Sequence, residues 1–319
     1  MTRVLVTGAT GFVGRELCET LSRRGYTVRA ALRSERAVPA CIAEKAVVGE
    51  IGSATDWAAA LDGVDYVVHA AARVHVMNDA EVDLYFETNA HGTRRLAMAA
   101  AQAGVSRFLF LSSIKVNGEE TRGRAYLATD TPDPGDAYGR SKLAGEKSVQ
   151  EIGTSTAMET VIVRPPLVYG PGVKANFLRL LGWVAKERPM PFAAIGNSRS
   201  LVSVWNLTDL LLRVLQHPAA AGKAWLVSDG ADLSTPLLIR TIARSMGRPV
   251  RLLPVPPALL QLAGALVGKK AEVTRLCGSL AVDIEPTRRE LDWTPPISVD
   301  ESIARTVTWY LSEVASLAR

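Results

Sequence analysis

The first half of the chain alternates short apolar runs with longer stretches of helical period. RVLVTG (3–8), YTVRAAL (26–32), YVVHAAA (66–72), FLFLSS (108–113) and TVIVRP (160–165) are rich in β-branched and aromatic residues, with helical segments between them. Such alternation predicts parallel strands joined by crossover helices. The runs are apolar at nearly every position, as in a sheet covered on both faces. FVGRELCETLSRRG follows the first run, with Gly25 as its stop. After Pro165 the pattern becomes mixed and rich in Pro and Gly, with a helical stretch near 176–186 and strand-like runs near 201–205 and 224–228. The expected architecture is α/β, a doubly wound parallel sheet over residues 1–170 and a smaller C-terminal lobe over 171–319 that can return a strand to the first.

Composition narrows the function without choosing it. The 319 residues are 48% hydrophobic, enough for a sizeable core. Lysine and arginine number 37 against 32 acidic residues, an excess of five, and both signs are scattered. That balance suits an anionic small ligand and predicts no nucleic-acid partner. Cys18, Cys41 and Cys277 are too far apart for a metal site or a disulfide framework, and the chain opens on a strand-like run instead of a secretory leader, so a cytoplasmic setting is expected. PALLQLAGALVG (257–268) falls short of the ~20 apolar residues of a membrane span. It is read as a packed helix, with loose attachment to a membrane surface as the alternative.

Two constellations carry chemistry. The turn TGATGFVG places Gly8, Gly11 and Gly14 three apart between a strand and a helix, where glycines admit a sharp turn and a pyrophosphate beside the helix N-terminus. In AYGRSKLAGEK, Tyr138 and Lys142 are four apart on one helix face. A neighbouring ammonium is expected to favour the phenolate and bring Tyr138 nearer neutrality as a proton donor or acceptor, although such a pair also occurs as plain surface decoration. Ser112 and Ser113 end an apolar strand, where ligand-facing hydroxyls of an open parallel sheet belong. His69, His75 and His91 match no ligand spacing and are read as packed or capping residues. Trp183, Trp205 and Trp293 are read as core.

TGATGFVG, HAAA (69–72), FETN ending at Asn89, LSSIKVNG, YGRSK and RPPLVYGPG (164–172) follow one another as in the extended short-chain dehydrogenase/reductases, the NAD-dependent epimerase/dehydratase family, which the whole chain resembles. The resemblance implies a Rossmann-type fold with a substrate-binding C-terminal lobe. It implies Tyr138 as acid/base, Lys142 as the group that lowers its pKa and bonds the nicotinamide ribose, and Ser113 as hydroxyl partner, chosen over Ser112 by aligning V-N-G with the family's V-Y-G. Asn117 replaces that tyrosine. It further implies cofactor contacts from Gly8, Gly11, Phe12, Val13, Gly14, Ala70, Ala71, Asn89 and Pro165, with Glu50 and Ile51 at the adenine. Asn89 in this family more often steadies the architecture around the site than takes part in the chemistry. Lys115 either enters the substrate pocket or is solvated. Asn176, Arg199 and Arg275 resemble positions that hold a UDP-sugar diphosphate.

Within the family, SSIKVNGE and RPPLVYGPGVKANFL are similar to reductases that form UDP-N-acetylquinovosamine from a UDP-4-keto-6-deoxy sugar for surface polysaccharide such as lipopolysaccharide. The alternative is a UDP-sugar 4-epimerase with tightly bound NAD, and a more remote one is a non-catalytic dinucleotide sensor, which has no need of the full Ser, Tyr and Lys set. In TVRAALRSE the acidic residue that commonly ends the second strand is replaced by Leu32 and Arg33, so Arg33 is expected to receive a 2′-phosphate and NADP(H) to be preferred over NAD(H). The family also implies a homodimer through helices near 92–103 and 141–152.

Overall fold

The computed structural model describes residues 1–74, 82–266 and 268–317. His75 lies outside the described residues. Nine strands are present among them: β1 (Arg3–Thr7), β2 (Thr27–Leu32), β3 (Glu44–Val47), β4 (Tyr66–His69), β5 (Arg107–Leu111), β6 (Glu159–Arg164), β7 (Leu167–Tyr169), β8 (Leu201–Ser203) and β9 (Ala224–Leu226). Seven form one sheet in the order β3-β2-β1-β4-β5-β6-β9, and every pairing is parallel. Its order reverses between β1 and β4, which opens a crevice at the carboxyl ends of those strands. This is the Rossmann-type doubly wound sheet. Its central strands are apolar throughout because both faces are covered: Val4, Val6 and Val161 join one buried cluster, Leu5, Val67 and Ile162 the other.

A third cluster forms the interior beyond residue 169, from Tyr169, Phe177, Leu181, Ile239 and Ile303. Here β7 and β8 make a separate parallel pair. The run expected over 201–205 ends at Ser203, because its side chain accepts from Asn206 N at 3.3 Å and caps the helix Val204–Gln216. β9 lies beyond residue 171 in sequence yet pairs with β6 in the main sheet. Trp293 is buried, with Nε1 donating to Asp209 Oδ1 at 2.8 Å. Trp183 departs from the core reading: it is exposed and stacks on Phe192, because its position on the helix Ala175–Ala185 faces outward.

A buried ion pair fastens the sheet to the helix Ala137–Ser155. Arg164, the last residue of β6, donates through Nε and Nη2 to the two carboxylate oxygens of Glu146 at 2.9 and 2.6 Å. Nη1 donates to Asn117 Oδ1 at 3.0 Å and to Ala128 O at 3.1 Å. Asn117 is thus turned inward, its Nδ2 donating to Leu127 O at 2.9 Å. Removing one member of such a pair strands the other charge in the interior. Arg164→Ala should therefore lose about 3–5 kcal/mol of unfolding free energy in urea, whereas Arg164→Met with Glu146→Leu should recover most of it.

Candidate active site

The site grows from the strand ends upward. Gly8 has φ +69°, and a Cβ there would lie 2.8 Å from Ala71 N. At Gly14 an added Cβ would sit 2.0 Å from Gly8 O, so the first turn of the helix Phe12–Arg23 can press on the loop only as glycine. Gly11 N donates to Gly8 O at 2.8 Å, and Gly11 caps the helix without a side chain. The first turn carries no acid, so no side-chain carboxylate offsets its free N–H groups and the positive end of the helix dipole. Phe12 packs toward Gly172, and Val13 against the core.

Across the crevice, β4 ends on His69, buried between two hydroxyls. Thr93 Oγ1 donates to Asn89 O at 2.8 Å, so it must accept from His69 Nε2, 3.0 Å away. His69 Nδ1 is then the acceptor for Thr7 Oγ1 at 2.6 Å, and Thr7 in turn accepts from Ala71 N at 3.1 Å. The ring is neutral by construction: burial first, and the charge of Lys142 second, pull its pKa down to about 3. Asn89 sits in a short π-helical turn, Glu87–His91. It accepts from Arg73 N at 2.8 Å and donates to Arg73 O at 3.1 Å and Ser141 Oγ at 3.0 Å, clamping the segment after Ala70 and Ala71 to the helix of Tyr138.

On that helix Asp136 is the N-cap, accepting from Gly139 N at 2.7 Å. The side chains of Tyr138 and Ser113 face each other, and the serine lowers the phenol's pKa. Ser113 also accepts from Lys115 N at 3.3 Å, while the hydroxyl of Ser112 is buried without a partner. Pro165 O accepts from Ile114 N at 3.0 Å and holds this loop against the end of β6. Lys142 is fully buried, its Nζ 3.9 Å from the centroid of Phe110 and without a hydrogen-bond partner. The expected tuning of Tyr138 by Lys142 is not what the folded chain produces. Burial pushes the phenol up to about 12 against the lowering effect of Ser113, and pulls the Lys142 ammonium down to about 7 against the attraction of Glu146. Desolvation of each group outweighs any attraction between them.

The remaining residues fall into two groups. At the end of β2, Arg33 Nη1 is 3.2 Å from Glu50 Oε1, both side chains exposed, so the guanidinium that the sequence offers to a phosphate already has a carboxylate beside it. Ile51 is half-buried next to it. Beyond residue 171, Arg199 donates through Nη1 to Arg275 O at 2.6 Å and Gly278 O at 3.1 Å. Among the described residues no carboxylate pairs with it. Arg275 is exposed and acts electrostatically on Asp136, which also contacts Lys115. Lys115 further pairs with Glu119 at 3.1 Å, so it is neither free nor simply solvated. Asn176 is exposed and accepts from Arg179, which reaches Glu272 at 3.7 Å on the helix of Arg275. Sequence reading missed the Arg164, Glu146 and Asn117 network, although Arg164 and Glu146 lie inside quoted motifs.

A glycine turn closed to any Cβ, beside a helix start free of acid, and a buried ammonium lacking an acceptor fit a dinucleotide and its ribose. The residues define a dinucleotide-dependent oxidoreductase site. The pattern of the NAD dependent epimerase/dehydratase family matches residues 4–228, and the chain belongs to that family. It is similar to a UDP-glucose 4-epimerase of Vibrio cholerae, 44% identical over 97% of this chain and 95% of the relative. A 3-beta-hydroxysteroid dehydrogenase of Mycolicibacterium neoaurum is 28% identical over 97% of this chain and 91% of its own. Among solved structures, UDP-glucuronic acid 4-epimerase from Bacillus cereus in complex with NAD superposes with a TM-score of 0.79 at 19% identity, covering 98% of this chain and 99% of that one. The protein is therefore a nucleotide-sugar epimerase/dehydratase-like enzyme of the NAD-dependent oxidoreductase type. The relative at 44% identity is an epimerase and not the 4-reductase that SSIKVNGE suggested.

The buried neutral His69 gives a pH prediction. Its folded pKa lies below the ordinary value of 6.5, so between 6.5 and about 3 the unfolded chain binds the extra proton and stability falls as pH falls. From pH 6.5 to 5, where few carboxylates titrate, wild type should lose about 2 kcal/mol more unfolding free energy than His69→Gln, measured by urea denaturation at each pH.

Proposed function

We propose that this protein inverts C4 of a UDP-hexose or UDP-N-acetylhexosamine on a tightly held NAD. The observation that carries this reading is the similarity to the Vibrio cholerae UDP-glucose 4-epimerase along nearly the whole chain. A bound nicotinamide would supply reversible hydride transfer at C4. Tyr138 would act as the phenolate, which the positive nicotinamide ring would favour against burial, taking the C4 hydroxyl proton and giving it back, and Ser113 beside it would hold the same sugar oxygen. Lys142 bonds the nicotinamide ribose. The turn from Gly8 to Gly14, with Phe12 and Val13, holds the pyrophosphate; Ala70, Ala71 and Pro165 line the nicotinamide side, Glu50 and Ile51 the adenine. Asn89 positions the segment after β4. Residues 171–319 form the sugar-nucleotide lobe, in which Arg199, a half-buried guanidinium with no carboxylate partner among the described residues, Arg275 and Asn176 take the diphosphate, with Lys115 at the pocket edge. We place the enzyme in the cytoplasm as a homodimer through the helices Gly92–Gln102 and Ala137–Ser155.

A second reading is the NADPH-dependent 4-reductase, favoured by Leu32 and Arg33 where the ribose-binding acid commonly stands. The carboxylate of Glu50 beside Arg33 weighs against it, since it repels a 2′-phosphate. Purified enzyme given UDP-glucose or UDP-N-acetylglucosamine without added reductant should form the C4 epimer, followed by NMR, and Tyr138→Phe should be slower by ~100 to 10,000-fold with dinucleotide binding retained. Oxidation of NADPH by a UDP-4-keto-6-deoxy-N-acetylhexosamine, with no epimer formed and with NADPH affinity lost in Arg33→Ala, selects the reductase instead.

A further inference from the structure

Exposed apolar side chains concentrate on one short element. The helix Pro257–Leu266 carries Leu259, Leu262 and Leu266 at 56%, 60% and 80% exposure. Their spacing of three and four residues sets them on one face. Another side of the helix is taken. A Cβ on Gly264 would lie 2.6 Å from Val273 Cγ2 on the helix Lys270–Cys277, and Leu260 packs on the buried cluster of this part of the chain. The flanking sequence is cationic. Between Asp232 and Glu272 the sequence has no acid, and Arg251 before the helix and Lys269 after it are exposed. Among the described residues neither has an ion-pair partner.

We propose that this leucine face docks the protein on the surface of an anionic lipid bilayer. Leucines entering the acyl boundary while lysine and arginine meet lipid phosphates is the arrangement of an interfacial helix. No helix among the described residues is long and apolar enough to cross a membrane, so the contact is peripheral. A second copy fits the face less well. Symmetric pairing would bring the cationic flanks of two copies together, and one ten-residue helix offers less than the roughly 800 Å² per partner of a stable interface. Docking would present the neighbouring helix of Arg275, whose carbonyl holds Arg199, to the headgroup layer. The proposal stands on this surface alone and does not depend on which sugar the enzyme takes.

Vesicle flotation tests it. The full chain should float with phosphatidylcholine vesicles containing phosphatidylglycerol, less so in high salt, and far less with phosphatidylcholine alone. Leu259→Glu with Leu262→Glu should weaken partitioning by on the order of a hundredfold. Arg251→Glu with Lys269→Glu should remove the preference for anionic vesicles, with the circular dichroism melting curve unchanged in both variants. Failure of wild type to float, equal binding to both vesicle types, or leucine variants that bind as wild type overturn the proposal. A solution mass halved by the leucine substitutions also overturns it and assigns the face to a second copy.

Discussion

An ammonium group lies in the interior of this protein, against an aromatic ring and without a hydrogen-bond acceptor, and the site is arranged around it. Lys142 has no exposed surface, and burial holds its pKa near 7. What opposes that depression is the carboxylate of Glu146, one helical turn onward, itself gripped by both arms of Arg164. A line of alternating charge thus runs from the site along the helix Ala137–Ser155 to the end of β6. The ring beside the ammonium is shared. Phe110 stacks on His69 at 5.6 Å, and the lysine charge helps keep that histidine neutral. Since His69 bonds Thr7, the residue before Gly8, a continuous run of contacts joins the glycine turn to the buried lysine through one phenyl ring.

The fold was legible because its determinants are local and steric. Strands β1, β4, β5 and β6 announce themselves as runs apolar on both faces, and the Gly8, Gly11, Gly14 spacing has one tight geometry that makes sense of it. Ser113 and Tyr138 do come together, and placing them required only a strand end and a helix start. The electrostatics were not legible from spacing. Four residues set Lys142 and Tyr138 on one face, but the sign of each pKa shift is decided by how much water the fold removes, a tertiary quantity.

The same limit explains the other departures. Arg33 and Glu50 are 17 positions apart and meet only because β2 and β3 are neighbours in parallel register. Asn117 stands where the family has a tyrosine, and nothing adjacent to it reveals that its amide closes the coordination of Arg164, 47 residues on. Trp183 and the leucines of 257–266 show the converse. Periodicity finds an apolar helix face but carries no information about whether another element covers it.

How the part of the chain beyond residue 171 is joined to the sheet bears on where specificity resides. β9 extends the main sheet, and three residues past its end Asp229 accepts from Tyr169 Oη at 2.6 Å, Ser203 N at 2.8 Å and Asn206 Nδ2 at 2.7 Å. Asn206 also donates to Ile297 O at 2.7 Å. This joint is made of buried hydrogen bonds to a carboxylate, each worth ~1.5–3 kcal/mol when the group is charged. Burial raises the pKa of Asp229 against these bonds, so a displaced donor would leave a costly unsatisfied oxygen. Moving β7 and β8 against the end of β9 would break the bonds of Asp229 to Tyr169 and Ser203 at once, whereas exchanging side chains on Arg199, Arg275 or Asn176, proposed above for the diphosphate, breaks neither. A frame fixed in this way leaves exposed side chains free to vary, and relatives named for a nucleotide sugar and for a steroid are compatible with one scaffold on those terms.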